Sequence, residues 1–576
     1  MILQALTDYY QALAAHGEIA PYGWGQVGVS FALCIDENGA LEQVLLVRTE
    51  QARGKKTVLA PQSMLLPAPV KRASNIEANF LCDNAGYVLG MDNKGKPEQT
   101  QKRFAACKAL HEKLLDGVDA PAARALLAFF RTWQPAQARE HPALQEHLEE
   151  ILSGANLVFR CQGTFVHRDA AVRQAWDAYY QAAGEGPEMV CLVTGETCPA
   201  ESVHPSIKNV AGAQPSGAAL VSFNGTAFCS YGKEQSLNAP TGKFAAFAYT
   251  TALNHLLADR DRVYRVGDAT VVCWAQSGET AYQSLLVAFA ASYSENDLRG
   301  MVEKLCAGQA VCYEDERLDP NMDFYILGLS PNAARLSVRF FLRNTFGGFL
   351  KNVQAHYARL EIVRPAFDKA ETLSINSLLA ETVNQHAQDK KPAPNMAGEV
   401  LRAVLTDTPY PATLRVGVAL RIRAEQKVTR GRAAILKAYY LKHPNADVPK
   451  EVLTVSLNPE STNIPYNLGR LFSMLEAIQS AANPGINTTI TDKYFSSACA
   501  TPSYTFPTLI KLAQAHLKKM DNGLRVYYAK QLTALMDRLD EDFPDCLNLK
   551  QQGAFQIGYY QQTQARYEKK EEKSYV

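Results

Sequence analysis

The chain has 576 residues, more than one compact domain holds, and ordinary domain sizes suggest three or four. With 47% apolar and 20% charged residues it can bury sizeable cores, which excludes global disorder. Its 59 Lys and Arg against 58 Asp and Glu leave a net charge of +1, which excludes a polycation coating nucleic acid by bulk charge but not local basic surfaces.

The N-terminal stretch places Ile2, Leu3, Leu6, Tyr10 and Leu13 at helical spacing, the pattern of an amphipathic helix. It has no basic leader region or cleavage site, and no segment approaches the ~18 apolar residues of a membrane span. The twelve cysteines are scattered, mostly inside apolar runs, with no disulfide spacing. The expectation is a soluble, cytoplasmic chain with reduced cysteines and no membrane partner.

Residues 1–155 mix strand and helix signals and form an expected N-terminal α+β domain. The run 27–35, the Glu37-Asn38-Gly39 turn and the run 41–47 predict a hairpin, and a helix-rich stretch follows over 102–152. Residues 156–365 are the most strand-rich, with strand character at 190–193, 218–223, 226–231, 269–274, 324–329 and 335–343. Asn224-Gly225 between two of these predicts a second hairpin with Val221 opposite Phe228. Residues 366–576 are expected to be helical. The polar, proline-containing stretch 384–398 predicts a linker. Ile464, Leu468, Leu471, Leu475 and Ile478 then mark a helix with Pro465 near its start and Asn483-Pro484-Gly485 as its stop. Further helices are expected over 507–520, with Gly523 as its cap, around Tyr528, Leu532, Leu535 and Leu539, and before the charged tail. The fold class is α+β, mixed strand and helix in the N-terminal and central regions followed by an all-α C-terminal bundle at about 450–570.

Catalytic constellations are missing: there is no phosphate-binding P-loop, dinucleotide fingerprint, nucleophile elbow or H-E-x-x-H pair. Cys191, Cys198 and His204 have poor spacing for zinc and read better as a reduced pair beside a histidine. The acids Glu314, Asp315, Glu316, Asp319 and Asp323 form the one alternative enzymatic reading, a metal-dependent nuclease, though such a run is ordinarily a solvated loop. The expectation is a non-enzyme without metal or cofactor.

Three basic clusters carry the binding signal. Arg48, Arg53, Lys55, Lys56, Lys71 and Arg72 face the single acid Glu50, with Asn75 nearby; the lysines suit phosphates, and Arg72 and Asn75 suit base edges. An ordinary solvated loop fits this cluster equally well. In RLSVRFFLR, strand alternation sends Leu336, Val338, Phe340 and Leu342 to the core and Arg335, Arg339, Phe341 and Arg343 to one outer face, a surface suited to single-stranded nucleic acid or to the acids of a neighbouring domain. Arg415, Arg421, Arg423, Lys427, Arg430, Arg432, Lys437 and Lys442 oppose only Glu425, the sharpest local departure from neutrality, and point to a phosphate backbone or an acidic partner.

The block CLVTGETCPAESVHPSIKNVAGAQPSGAALVSFNGTAFCSYGKEQSLNAP, followed by FAYTTALNHLL, resembles the large-subunit family of the type I-C CRISPR Cascade surveillance complex. So do KRASNIEANFLCDNAGYVLG, FYILGLSPNAARLSVRFF, TPYPATLRVGVALRIRAEQKVTRGRAAILKAYY and YNLGRLFSMLEAIQ, in family order across nearly the whole chain. The resemblance implies a non-catalytic subunit that binds the guide CRISPR RNA. It also implies contact with double-stranded target DNA, its displaced non-target strand, and the backbone and handle-binding subunits. Such a subunit helps read the protospacer-adjacent motif, promotes R-loop formation and helps recruit a helicase-nuclease. The family also makes its C-terminal helical region separately as a small subunit; Met396, Met474 and Met520 are the nearby methionines, and none fits such a start well. By resemblance and chemistry, Lys71, Arg72 and Asn75, supported by Lys55 and Lys56, are placed at the motif duplex. Asn224, Lys233, Gln235 and Asn238 are placed near RNA or DNA, with turn chemistry an equal account of them. A purely structural scaffold is the remaining reading.

Overall fold

The structure, a computed structural model, describes residues 1–53, 56–70, 72, 76–93, 95, 97–182, 186–291, 296–388, 390–539 and 542–567. The chain divides into two compact units, Met1–Lys208 with Ser216–His255, and Asn209–Pro215 with Leu256–Val576. Both are built from helices and sheets, while the region after residue 365 is helical, so the α+β class holds. The unit boundaries cut through the strand-rich segment expected at 156–365.

In the first unit a five-stranded sheet runs in the order Leu41–Leu46, Phe31–Ile35, Asn156–Cys161, Cys82–Asn84, with Thr164–Phe165 also on Asn156–Cys161. Phe31–Ile35 pairs antiparallel with Leu41–Leu46 and parallel with Asn156–Cys161. The expected hairpin is therefore present, and Asp36 closes it by accepting from the backbone N–H groups of Asn38 and Ala40 at 2.9 and 2.7 Å. The expected single run 27–35 is broken at Ser30, because Trp24–Val29 leaves to pair with Lys56–Pro67 in a separate three-stranded sheet. FALCI is apolar throughout because both of its faces are covered. Phe31, Leu33 and Ile35 pack with Phe104, Leu126, Phe129 and Phe130 of the Pro97–Leu115 and Pro121–Thr132 helices, and Ala32 packs with Val29, Met64 and Leu66.

The predicted hairpin at Asn224-Gly225 does not form. An Asn-Gly hairpin turn needs positive φ at both residues, whereas Gly225 is extended at φ −138° and a short 3-10 turn follows at Thr226–Phe228. Residues 218–223 form no strand, although Ala218 bridges to Ile207. Positive φ falls later instead, at Tyr231, Gly232 and Gln235.

In the second unit Tyr264–Val266, Ala269–Ala275, Asp323–Asn332 and Arg335–Thr345 form a four-stranded antiparallel sheet in that order. Val271, Cys273, Phe324, Ile326 and Phe340 bury one face against the Ala281–Ala291, Phe346–Leu360 and Pro394–Thr406 helices. The last of these begins inside the predicted linker, with Pro394 at its first position.

The C-terminal helices gather around Ile464–Ala482, whose start and stop match the sequence expectation. Ile490–Ala500 was not anticipated, although its Thr489 and Asp492 form a capping box. The next helix is Pro502–Leu517, with Pro507 inside rather than at its start. Gly523 lies in the first turn of Asn522–Met536 and not at a C-cap, because Asp521 caps that helix by accepting from the Leu524 N–H. The final helix, Leu549–Ala565, is buried continuously from Gly553 to Gln562. Its glutamines tolerate burial because each amide is used: Gln561 accepts from the Tyr466 hydroxyl at 2.6 Å and donates to the Thr454 carbonyl at 2.7 Å, and Gln562 accepts from Arg470 at 3.2 Å. Among the described residues no helix is long and apolar enough to cross a membrane.

Candidate nucleic-acid interface

In the first basic cluster, Lys55, Lys71 and Asn75 lie outside the described residues, and so do the side chains of Arg53 and Lys56. Arg48 pairs with Glu150 at 2.5 Å. Arg72 is an anchor. Its Nε donates to the Glu77 carbonyl at 2.6 Å, its two terminal nitrogens fork onto Asp83, and its guanidinium lies 3.9 Å from the centre of the Tyr87 ring. Asp83, 1% exposed on the Cys82–Asn84 strand, also accepts from the Asn79 N–H at 3.0 Å, and Asn79 accepts from the Val70 N–H at 3.0 Å. The fork is thus engaged by Asp83 and the Glu77 carbonyl rather than held out toward a base edge. His111 supports the same segment: its Nε2 accepts from the N–H of Leu81, which has φ +62°, and its Nδ1 donates to the Cys107 carbonyl at 2.8 Å. Burial pulls the His111 pKa down to about 4, which keeps the neutral form these bonds require. Beside Arg72 opens a polar cleft of about 580 Å³ bordered by Asn84, Tyr87, Asp92 and Arg103.

The arginine row on Arg335–Thr345 is interrupted. A register shift between Gly328 and Leu329 leaves Arg339 without a partner residue across the strand pair. Strict alternation fails there, and Val338, expected in the core, is 42% exposed. Arg339 donates to Ser330 and Asn395 and pairs with Asp268 at 2.5 Å, and Arg343 pairs with Asp323 at 2.8 Å. Phe341 stacks with Trp274 and Tyr325 at ring separations of 6.2 and 6.0 Å. Arg335 is half-buried at the far end of the strand.

The densest cationic segment turns inward. Arg432, 2% exposed, meets Glu381 at 3.2 Å and Glu425 at 2.5 Å and donates to the Lys427 carbonyl at 2.9 Å. Arg430 pairs with Asp368 at 3.0 Å and donates to the Ala370 and Glu371 carbonyls. Lys437, 3% exposed, donates to the Arg359 and Glu361 carbonyls, and burial pulls its pKa down to about 8. Lys442 pairs with Asp407 at 2.8 Å, and Arg421 with Glu425 at 3.6 Å. Arg415 lies 5.7 Å from the Tyr439 ring centre, and only Arg423 and Lys427 of the eight are exposed. Most of this charge therefore holds the helices Ala412–Glu425 and Arg430–Lys442 to their own unit.

The acids of the nuclease alternative are likewise dispersed. Glu314 and Asp315 make the turn of the Val311–Tyr313 and Glu316–Leu318 hairpin, both at positive φ, while Asp319 accepts from the Asn321 N–H and Asp323 holds Arg343. Cys191 and Cys198 share a hydrogen bond. Burial raises the Cys191 thiol, but N–H groups of Gly242, Thr194 and Val193 on its sulfur outweigh that and bring it below the usual range. His204 bonds the Tyr249 hydroxyl at 2.8 Å instead. Among the described residues no group of three His, Cys, Asp or Glu is placed to hold a metal ion.

The central loop is built for display. Asn238 is its buckle: its Oδ1 accepts from the Ser230 N–H at 2.9 Å and its Nδ2 donates to the carbonyls of Lys233 and Gln235 at 3.0 and 2.9 Å. Asn238 is thus used by its own loop, while Lys233 and Gln235 are exposed. Asn224 and Gln235 border a cleft of about 400 Å³ together with Ser222, Thr226 and Glu234. Tyr231, 98% exposed, was not anticipated; its only sequence signal was an aromatic beside Gly232 in a polar stretch.

The class of protein follows from comparison of the whole chain: it is CRISPR-associated. The family described as CRISPR-associated protein (Cas_Csd1) matches residues 6–567, so the chain belongs to that family. No curated protein matches it.

Proposed function

We propose that this chain is the non-catalytic large subunit of a type I-C Cascade surveillance complex. It binds the guide CRISPR RNA, reads the protospacer-adjacent motif on double-stranded target DNA, promotes R-loop formation and helps recruit the helicase-nuclease that acts on the displaced strand. Its further partners are the backbone and handle-binding subunits and a small subunit derived from the C-terminal helical region. The observation that carries this reading is the family match over residues 6–567, joined by a polar cleft next to the anchored Arg72.

Within that reading, Arg72 positions the segment, and Lys71 and Asn75 read the motif with Lys55 and Lys56 on phosphates. In the guide-loaded complex, Lys71→Ala with Asn75→Ala should lower the preference for motif-bearing duplex about tenfold or more, at the ~1–3 kcal/mol of a base-edge contact. Assembly and melting temperature should be unchanged. Arg72→Ala should lower the melting temperature as well, because it takes the cation from buried Asp83 and leaves it only backbone N–H partners, at about 1–3 kcal/mol. A double variant that prefers its motif as strongly as the wild type overturns the assignment.

The inward ion pairs of Arg430, Arg432 and Lys442 and the buried carbonyl hydrogen bonds of Lys437 favour a structural role for that segment, leaving Arg423 and Lys427 as its nucleic-acid contacts.

A further inference from the structure

Tyr231 has the most exposed large apolar side chain among the described residues. Nothing in its own unit's packing accounts for it, and it is held in a costly conformation. Ser230 accepts from the Lys233 N–H at 3.0 Å, which closes a four-residue turn, and the two central residues Tyr231 and Gly232 have φ +52° and +68°. A turn with positive φ at both centres ordinarily takes Gly, Asn or Asp, since a β-carbon there is strained by about 1–2 kcal/mol. The turn is nonetheless fixed, by the three hydrogen bonds of Asn238 and by the Ser236 N–H on the Ser202 carbonyl at 3.2 Å. The backbone under the ring is therefore set before any ligand arrives, which leaves only the side chain's own rotamers to be ordered on binding.

We propose that Tyr231 is a stacking platform for one unpaired base of a single-stranded nucleic acid. This rests on the reading of the chain as a nucleic-acid-binding subunit and adds a residue and a ligand state to it. The neighbourhood selects the ligand. Lys233, exposed two residues on, supplies a cation for a phosphate. The cleft nearby is lined by Thr226, Glu234 and Gln235, a hydroxyl, a carboxylate and an amide suited to base edges, and by Val203, Val221 and Phe223. The exposed Lys233 and Glu234 beside the ring are residue types that the core of a protein-docking patch is depleted of. Every base has a π-face, so stacking here is tolerant of sequence and demands only that the base be unpaired.

The test uses fluorescence anisotropy of the full chain, and of the guide-loaded complex, with a labelled single-stranded oligonucleotide and with a duplex of the same sequence. Tyr231→Ala should weaken single-strand binding about 5- to 100-fold, the span expected for one stacked base, and leave duplex binding within about twofold. Tyr231→Phe, which keeps the ring, should bind the single strand as the wild type does. Melting temperature should not move, because the ring is solvent-exposed. Wild-type affinity in Tyr231→Ala, or equal loss in the Phe and Ala variants, overturns stacking. Loss of co-purifying protein with oligonucleotide affinity intact overturns it too and assigns the ring to a protein interface. A wild-type chain and complex that bind no nucleic acid would sink the underlying function as well, whereas normal wild-type binding with an indifferent Ala variant sinks this inference alone.

Discussion

Gly469→Ala should unfold the C-terminal bundle well below the wild-type melting temperature, at a cost of about 4 kcal/mol or more. A β-carbon on Gly469 would lie 1.9 Å from the Phe555 carbonyl oxygen, 2.8 Å from its carbon and 2.9 Å from the Tyr559 nitrogen, all backbone atoms that no rotamer can move. Gly558 returns the contact, its β-carbon position being 2.2 Å from the Tyr466 carbonyl oxygen. The helices Ile464–Ala482 and Leu549–Ala565 therefore touch backbone to backbone, and the added methyl must push them apart. Overpacking alone costs ~1–3 kcal/mol. Separation also stretches the bonds from Tyr466 to Gln561, Arg470 to Gln562, Ser473 to Thr563 and Tyr559 to Glu476, each worth about 1 kcal/mol. The gain in helix propensity, about 1 kcal/mol, offsets little of this. Gly300→Ala is the matched control, because its β-carbon meets nothing within 4 Å. It should be neutral or stabilising by up to ~1 kcal/mol. Calorimetry or circular dichroism melts of the two variants check this, and a Gly469→Ala protein that melts with the wild type contradicts it.

Arg432→Ala should cost about 3–5 kcal/mol, the effect of breaking a buried ion pair from one side. The guanidinium is 2% exposed and bridges Glu381 and Glu425, whose carboxylates keep roughly a quarter of their side-chain exposure. Its loss leaves both acids beside an empty site and frees the Lys427 carbonyl. Arg432→Lys should recover only part, because an ammonium cannot present the planar fork that reaches both carboxylates at once. Exposed Arg423→Ala should do the reverse, leaving the melting temperature unchanged and weakening nucleic-acid binding with a shallower salt slope. Urea titrations paired with binding at two salt concentrations separate these outcomes. Equal stability of Arg432→Ala and Arg423→Ala would remove the structural role given to this segment.

These two sites also mark what a single sequence conveys. The hairpin over Phe31–Ile35 and Leu41–Leu46 and the Ile464–Ala482 helix were legible because their turn residues and apolar periods are local. Leu549–Ala565 was legible as a helix before the charged tail, but its burial was not, since its glutamine and tyrosine side chains bond to Tyr466, Glu476 and the Val363 carbonyl about 80 to 200 residues away, and polar residues at buried positions erase the amphipathic pattern. The cationic segments were visible as charge, but their meaning was not. Asp368, Glu381 and Asp407 are distant in sequence from Arg430, Arg432 and Lys442, so the pairing that neutralises the cluster cannot be counted from a window. The bulge opposite Gly328 and the extended Gly225 are equally tertiary: neighbouring structure overrode a local signal that was clear by itself. The loop locked by Asn238 was recognised as a candidate contact, but Tyr231 within it was not, because only the fold shows which aromatic is left outside.

The most direct test of the central claim is native purification of the chain, tagged and co-expressed with the products of its neighbouring genes, followed by analysis of bound RNA. The expected result is a complex of several proteins in fixed ratio, carrying short RNA of uniform length with a constant segment at one end. A chain that elutes alone and free of RNA under the same conditions would contradict it.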